Sequence, residues 1–266
     1  MNQSSERIVV GIDGSDAAIN AAKWAVVEAV SRNVPLRLIH ATPARSGDAG
    51  GDASLEVEYA QTSLRAADAA LQATGEPVKV ECDVVPGPPE RALIDESHVA
   101  AMVCVGSVGI GRIARKVLGS TADAVARAAR CPVAIVRGND RAQPDSGWVG
   151  VVVNDSPGND AVLEEGFREA RLRGASILAL GVWRWGLGEI PYRQLDRRLR
   201  RWVSRYPEVH VMPAAARHGV AQFLARTQES IQLAVVGSED ADEVARIVGP
   251  VGHPPPAGRS VLVVRG

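Results

Sequence analysis

The 266-residue sequence has only three cysteines, almost no net charge and no apolar run that approaches 20 residues. Cys82, Cys104 and Cys131 are too few and too widely spaced for a disulfide framework or a cysteine metal cluster. A helix needs about 20 consecutive apolar residues to cross a bilayer, so we expect no membrane segment. The first residues also lack the pattern of a signal peptide. We therefore expect a soluble, cytoplasmic protein.

The charge balance argues against a polyanion-binding protein. The chain has 30 lysines and arginines against 31 aspartates and glutamates, which is a formal net charge of -1. Nucleic-acid binding depends on a clustered basic surface that contacts phosphates, so we expect no nucleic-acid partner. Apolar residues make up 46% of the chain and charged residues 23%, which is typical of a globular protein. The length predicts two domains of about 130 residues each.

The histidines give no sign of a catalytic or metal site. They have neither the spacing of metal ligands nor an evident serine or cysteine partner. The five are His40, His98, His210, His218 and His253. We therefore predict no catalytic residue and no metal ion held by protein side chains.

Buried-strand patterns alternate with helix patterns along the first half of the chain. Strands are predicted in the segments RIVVGID, VPLRLIHA, VKVECDVV, AMVCVG and PVAIVRG. Helices are predicted between them, and the first helix begins at Ser15 or Asp16. Five strands separated by helices are typical of a parallel sheet covered on both faces. The pattern therefore predicts an α/β fold.

The second half of the chain repeats this pattern in a register that can be counted. Residues 11–15, GIDGS, align with residues 152–156, VVNDS, at an offset of 141. The closing segments also match, VAIVRG at 133–138 and VLVVRG at 261–266. Ordered matches at both ends of the unit indicate a tandem duplication.

The duplication predicts two domains and a way for them to associate. The domains cover residues 1–138 and 148–266, and the polar, turn-rich segment 139–147 joins them. The last strand of each copy is an uncovered sheet edge, and such edges favour pairing. We therefore expect the copies to form a pseudo-dimer within the chain through these strands, and we expect further homodimerisation.

A glycine-rich loop follows the fourth predicted strand, with the spacing G-x2-G-x9-G-S from Gly106 to Ser120. Ser120 and Asp123 form an S-x-x-D pattern, which predicts a helix that Ser120 caps. The first N–H groups of a helix favour phosphate, and glycines let a phosphate approach the backbone. We therefore predict that the loop binds an anion and that its glycines serve a ligand rather than the fold.

Two other nucleotide-binding motifs fit this loop poorly. Residues 109–114 match the dinucleotide fingerprint G-x-G-x-x-A, but they follow the fourth strand instead of the first, and no acidic residue closes a strand about 20 positions later. The P-loop pattern that ends in Gly-Lys-Ser/Thr is absent. Arg112 within the loop has two interpretations, a cation that closes over phosphates or a solvated loop charge.

The end of the first predicted strand supplies the other part of the candidate site, beside the glycine loop. Ligands of open parallel sheets bind at the carboxyl ends of the strands, where the strand order reverses. Asp13 ends the first strand, and its carboxylate can accept hydrogen bonds from ribose hydroxyls or from a purine amino group. The backbone near Ala41, after the second strand, would border the base. An alternative role for Asp13 is that of a turn residue in the sequence DGS.

These residues make the chain resemble the universal stress protein family, in its tandem-domain, actinobacterial and mycobacterial form. The resemblance rests on VVGIDGS with Asp13 and on G-x2-G-x9-G-S from Gly106 to Ser120, and it covers nearly the whole chain. It implies two tandem open parallel five-stranded sheets of strand order 3-2-1-4-5, flanked by helices. This fold is Rossmann-like, of the adenine-nucleotide α-hydrolase-like type.

The resemblance also implies a set of binding residues. Asp13 and the main chain near Ala41 would hold adenosine, and the glycine loop would hold phosphates with a divalent ion, Mg. The candidate residues are Gly11, Ile12, Asp13, Gly14, Ser15, Ala41, Val105, Gly106, Gly109, Gly111, Arg112, Gly119, Ser120 and Thr121. In the second copy Asn154, Asp240 and Pro250 replace the aspartate, the second glycine and the hydroxyl. We therefore predict that the second copy has lost the nucleotide site.

The leading hypothesis is an ATP-binding regulatory protein of the stress response, at most a weak ATPase, whose protein partner is unknown. The runner-up is a slow ATP-hydrolysing or nucleotidyl-transferring enzyme of the same fold group. A third hypothesis is an interaction protein without a ligand.

Overall fold

The chain divides into two compact units, Met1–Gly138 (unit 1) and Asn139–Gly266 (unit 2). The structure is a computed structural model, and it describes these residues of the chain: 6–42, 52–109, 118–137, 147–182, 190–216, 219–227, 229–249 and 259–266. Within these ranges, no helix is both long enough and apolar enough to cross a bilayer.

Unit 1 is built on five strands whose described pairings are all parallel. The strands are β1 (Ile8–Gly11), β2 (Leu36–Thr42), β3 (Val80–Pro86), β4 (Met102–Gly106) and β5 (Val133–Val136). Their spatial order is β3-β2-β1-β4-β5. The three apolar residues Ile8, Val9 and Val10 of the central strand are fully buried, as expected for a strand covered on both faces.

Four helices connect these strands. They are α1 (Asp16–Arg32), α2 (Asp52–Gln72), α3 (Pro89–Glu96) and α4 (Ser120–Ala128). Helix α1 starts at Asp16, one of the two predicted starts, and Ser15 is its N-cap, whose hydroxyl accepts from the Ala18 N–H. The helix ends at Asn33, which adopts the left-handed conformation with φ 54°. Helix α1 packs on α2, and α3 packs on α4.

Unit 2 has the same arrangement of elements. Its strands are β6 (Trp148–Val153), β7 (Ser176–Val182), β8 (Val211–Ala216), β9 (Ile231–Gly237) and β10 (Ser260–Val264). Their order, β8-β7-β6-β9-β10, and their parallel pairings repeat those of unit 1. The predicted α/β class and the strand order 3-2-1-4-5 are therefore confirmed in each unit.

The helices of unit 2 are shorter toward its end. They are α5 (Asn159–Leu172), α6 (Ile190–Arg205), α7 (Val220–Arg226) and α8 (Val244–Val248), with a 3-10 segment at Ser238–Glu243 before α8. Phe167 of α5 is fully buried and stacks against Trp202 and Tyr206, with ring centroids 6.1 and 5.5 Å apart. These rings join α5 to the end of α6.

Candidate functional site

Unit 1 contains a cavity of about 300 Å³ beside the carboxyl ends of β1, β2 and β4. This volume lies at the lower end of the range for small-molecule pockets. Most of the candidate residues line it. Its lining consists of Gly11, Ile12, Asp13, Ser15, Ala18, Ile39, Ala41, Pro89, Leu93, Val105, Gly106, Val108, Gly109, Gly119, Ser120, Thr121 and Ala122.

Of the other three candidate residues, the structure describes only Gly14. Gly14 is not in the lining, and a Cβ at this position would lie 2.5 Å from the Tyr59 hydroxyl oxygen, on α2. Gly111 and Arg112 lie outside the described residues, so the two interpretations of Arg112 both stay predictions.

The turn after β1 fixes the carboxylate of Asp13. Its Oδ1 atom accepts hydrogen bonds from the Ser15 N–H at 3.0 Å and from the Ser15 hydroxyl at 2.6 Å. Ser15 also caps α1, so the first turn of that helix and the carboxylate are positioned together. Asp13 is therefore a turn residue, as one interpretation holds, and it also lines the cavity.

The glycine loop returns to this carboxylate. A Cβ added at Gly109 would lie 2.5 Å from Oδ2 of Asp13, so the loop backbone runs directly beside the carboxylate. Further along, the Gly119 N–H donates to the Ser107 carbonyl at 2.8 Å. The two ends of the loop are therefore held together at the mouth of the cavity.

Helix α4 starts at Ser120, as the sequence predicts, but its cap differs from the prediction. Gly119, in extended conformation, is the N-cap, and Ser120 is the first helical residue. Asp123 pairs instead with Arg127, one turn further along, at 3.1 Å. Among the residues that the structure describes, no side chain caps this helix. The first turn of α4 therefore lines the cavity through Ser120, Thr121 and Ala122, and no capping box occupies its first N–H groups.

Gly106 corrects the prediction that the loop glycines serve only a ligand. A Cβ at this position would lie 2.8 Å from the carbonyl carbon and 2.9 Å from the carbonyl oxygen of Ala17, which are main-chain atoms of α1. Gly106 is therefore required for the packing of α1 against β4. At Gly119, by contrast, the nearest atom would be 3.6 Å away, which is an ordinary contact.

An apolar wall of the cavity comes from residues that the sequence analysis did not identify. Leu93 of α3 packs against Gly11, where a Cβ would lie 3.0 Å from its Cδ1 atom. Pro89 and Ile39 complete this side of the lining. Such a wall suits the face of a planar aromatic group. The sequence shows a helix that begins at a proline and a glycine in β1, but only the tertiary structure shows that the two elements pack together.

His40 lies next to the cavity wall on β2 and is 8% exposed. Burial lowers the pKa of its imidazole, and the opposing effects of the Asp13 charge and of a hydrogen bond to the Ile12 backbone are smaller. The ring is therefore neutral near pH 7. Its edge packs against Tyr59 with ring centroids 5.8 Å apart and an interplanar angle of 76°.

The equivalent position in unit 2 is organised differently. Asn154 retains the turn, because its Oδ1 atom accepts from the Ser156 N–H at 2.9 Å. The Asn154 amide and the Ser156 hydroxyl then both donate to Oε1 of Glu239, at 3.1 and 3.0 Å. These two hydrogen bonds and one from its own backbone lower the pKa of Glu239 despite the opposing effect of burial, the largest single contribution. The Glu239 carboxylate thus accepts the hydrogen bonds that the side chains of this turn donate.

Three parts of unit 1 surround one cavity: the Asp13 carboxylate as a hydrogen-bond acceptor, the first turn of α4 with its amide donors, and the apolar wall. Among the described residues there is no cluster of three side chains that could hold a metal ion. The site therefore has the parts for binding a polar ligand with an aromatic ring and an anionic end.

Comparisons with known proteins identify the family of the chain. The model of the universal stress protein family matches residues 4–137. The chain is 48% identical to universal stress protein Rv2624c of Mycobacterium tuberculosis over 97% of its own length and 96% of the relative. It is 38% identical to universal stress protein Rv3134c of the same organism, with 97% and 95% covered. A crystal structure of a universal stress protein from Archaeoglobus fulgidus shares the fold, with a TM-score of 0.74 at 17% identity over 98% of this chain and 96% of that one. The chain therefore belongs to the universal stress protein family.

Proposed function

We propose that the cavity of unit 1 binds an adenine nucleotide, ATP, and that the protein is a nucleotide-dependent regulatory module of the stress response. The observation that carries the proposal is the meeting of Asp13, the apolar wall and the uncapped start of α4 around one cavity. A nucleoside and a phosphate chain need these three surfaces in this combination.

The nucleoside of the proposed ligand lies against β1, β2 and α3. Leu93 and Ile39 contact the faces of the purine, and the main chain near Ala41 borders its edge. Asp13 accepts a hydrogen bond from a ribose hydroxyl or from the purine amino group, because an ionised carboxylate only accepts. The hydrogen bonds from Ser15 hold one carboxylate oxygen in place and so fix the direction of the other.

The phosphate end lies at Gly109, Gly119 and the first turn of α4. The N–H groups of Ser120 and Thr121 donate to phosphate oxygens, and the helix dipole adds a favourable partial charge. Mg would be held through the phosphates, which fits a cavity whose described lining holds a single carboxylate. When bound, the ion neutralises phosphate charge that Asp13 would otherwise repel.

Unit 2 is proposed to lack this function. The Glu239 carboxylate accepts the hydrogen bonds of Asn154 and Ser156, and its negative charge opposes a phosphate chain. We therefore expect one nucleotide per chain.

The proposal is tested by mass spectrometry of whatever co-purifies with the protein, followed by calorimetric titration with ATP. An adenine nucleotide bound at one per chain supports it, and the absence of ATP binding favours the interaction protein without a ligand. Multiple turnovers per minute with Mg, abolished in Asp13→Ala, would instead establish the hydrolysing enzyme. Homodimerisation, the pairing of the two copies through their last strands and the protein partner stay predictions.

A further inference from the structure

Tyr59 of α2 contacts two segments that line the cavity, the turn at Asp13 and strand β2. Its hydroxyl donates to the main-chain carbonyl of Asp13 at 3.0 Å, and the sequence separation is 46 residues. The side chain is 48% exposed, so burial of apolar surface is not its only role. The hydrogen bond joins the exposed side of α2 to the residue whose carboxylate lines the cavity.

The turn is shaped to accept this hydroxyl. Gly14 has φ 87°, a conformation that glycine adopts without strain. A Cβ there would lie 2.5 Å from the Tyr59 hydroxyl oxygen and 2.8 Å from the hydroxyl oxygen of Ser63, one helical turn later. The missing side chain at Gly14 is thus what lets α2 reach the backbone that follows Asp13.

The second contact of Tyr59 is with His40. Ile39 and Ala41 both line the cavity, and side chains alternate along a strand, so His40 lies on the opposite face of β2. The ring of Tyr59 packs edge-on against His40 from that side. Tyr59 therefore supports both segments that form the nucleoside end, the turn after β1 and the end of β2, without entering the cavity.

We propose that Tyr59 is a positioning residue for nucleotide binding, which holds the Asp13 main chain so that its carboxylate faces the ligand. This inference rests on the proposed nucleotide site. Tyr59 acts through Asp13: when its hydroxyl is removed, the Asp13 carbonyl loses this hydrogen bond, and the main chain that carries the carboxylate is positioned less firmly even though Ser15 still holds the carboxylate itself. The contact also links nucleotide occupancy to the exposed face of α2.

The experiment is a double-mutant cycle of Tyr59→Phe and Asp13→Asn, measured by calorimetric titration with ATP. Asparagine keeps the turn, as Asn154 does in unit 2, but replaces the acceptor by a donor. Tyr192→Phe, at a 52% exposed tyrosine of α6 in unit 2, is the matched control. Hydrogen exchange of the amides of residues 14–18 is measured on Tyr59→Phe and on the wild-type protein.

We expect Tyr59→Phe to weaken ATP binding by about twofold to tenfold, the range for the loss of one neutral hydrogen bond. The same change should add nothing in the Asp13→Asn background, and Tyr192→Phe should bind as the wild type does. The amides of the turn should exchange faster in Tyr59→Phe. An unchanged ATP affinity or unchanged exchange would overturn the inference, as would an equal loss in the Asp13→Asn background. Failure of the wild-type protein to bind ATP would overturn the proposed function itself.

Discussion

Replacing Gly106 by alanine separates the structural role of this loop from its role in binding. The added Cβ would lie 2.8–2.9 Å from main-chain atoms and the Cβ of Ala17, and main-chain atoms of a helix cannot rotate away. Overpacking of this kind costs about 1–3 kcal/mol. Alanine also restricts the unfolded chain, which offsets up to about 1 kcal/mol of that cost. The offset leaves a range of about 0–3 kcal/mol, and we expect a net loss in the middle of it, about 1–2 kcal/mol.

A loss of this size lowers Tm by about 2–8 °C in a protein of this length. The assay is thermal unfolding followed by circular dichroism without nucleotide. Gly119→Ser is the matched control, because its Cβ would meet no atom closer than 3.6 Å, its φ of -68° suits any residue, and serine is favoured at an N-cap. We expect the control to stay within about 2 °C of the wild type. A wild-type Tm for Gly106→Ala, or an equal loss in Gly119→Ser, would refute the packing role.

Two further predictions concern the other unit and the buried histidine. Phe167→Ala removes a fully buried ring of unit 2 and should cost about 3–5 kcal/mol, while the calorimetric Kd for ATP stays the same because the proposed site is in unit 1. Since burial lowers the pKa of His40, the unfolded state takes up the proton first, and stability should fall as the pH drops below the ordinary histidine value of about 6.5. Urea unfolding at about pH 7 and about pH 5 measures how much stability is lost between the two pH values. This loss should be smaller in His40→Phe than in the wild type, and an equal loss would show that His40 does not cause it.

The local features of the fold were predictable from the sequence. The apolar strand segments and the start of α1 at Ser15 or Asp16 have short-range signals, and the structure contains them at the expected places. The S-x-x-D pattern at Ser120 gave the correct helix start but the wrong cap, because Asp123 finds a closer partner in Arg127.

Long-range contacts were not predictable in the same way. Gly106 is required because Ala17, which is distant in the sequence, packs on it. Leu93 enters the cavity because α3 crosses β1, and Tyr59 reaches Asp13 because α2 packs on α1. Each of these contacts joins elements whose patterns indicate only which of their residues are buried, so the sequence alone does not say which residues meet.

The central claim, a phosphate site at the start of α4, is tested most directly by ATP titration of Gly119→Asp against Gly119→Asn. Gly119 is an N-cap in extended conformation, where aspartate and asparagine are both favoured over glycine, so neither variant should lose stability. Only aspartate places a negative charge where the phosphates are proposed to bind. The account predicts one ATP per wild-type chain and an affinity at least about tenfold weaker in Gly119→Asp than in Gly119→Asn, with both variants folded. Equal affinities in the two variants, or a wild-type chain that binds no ATP, would contradict it.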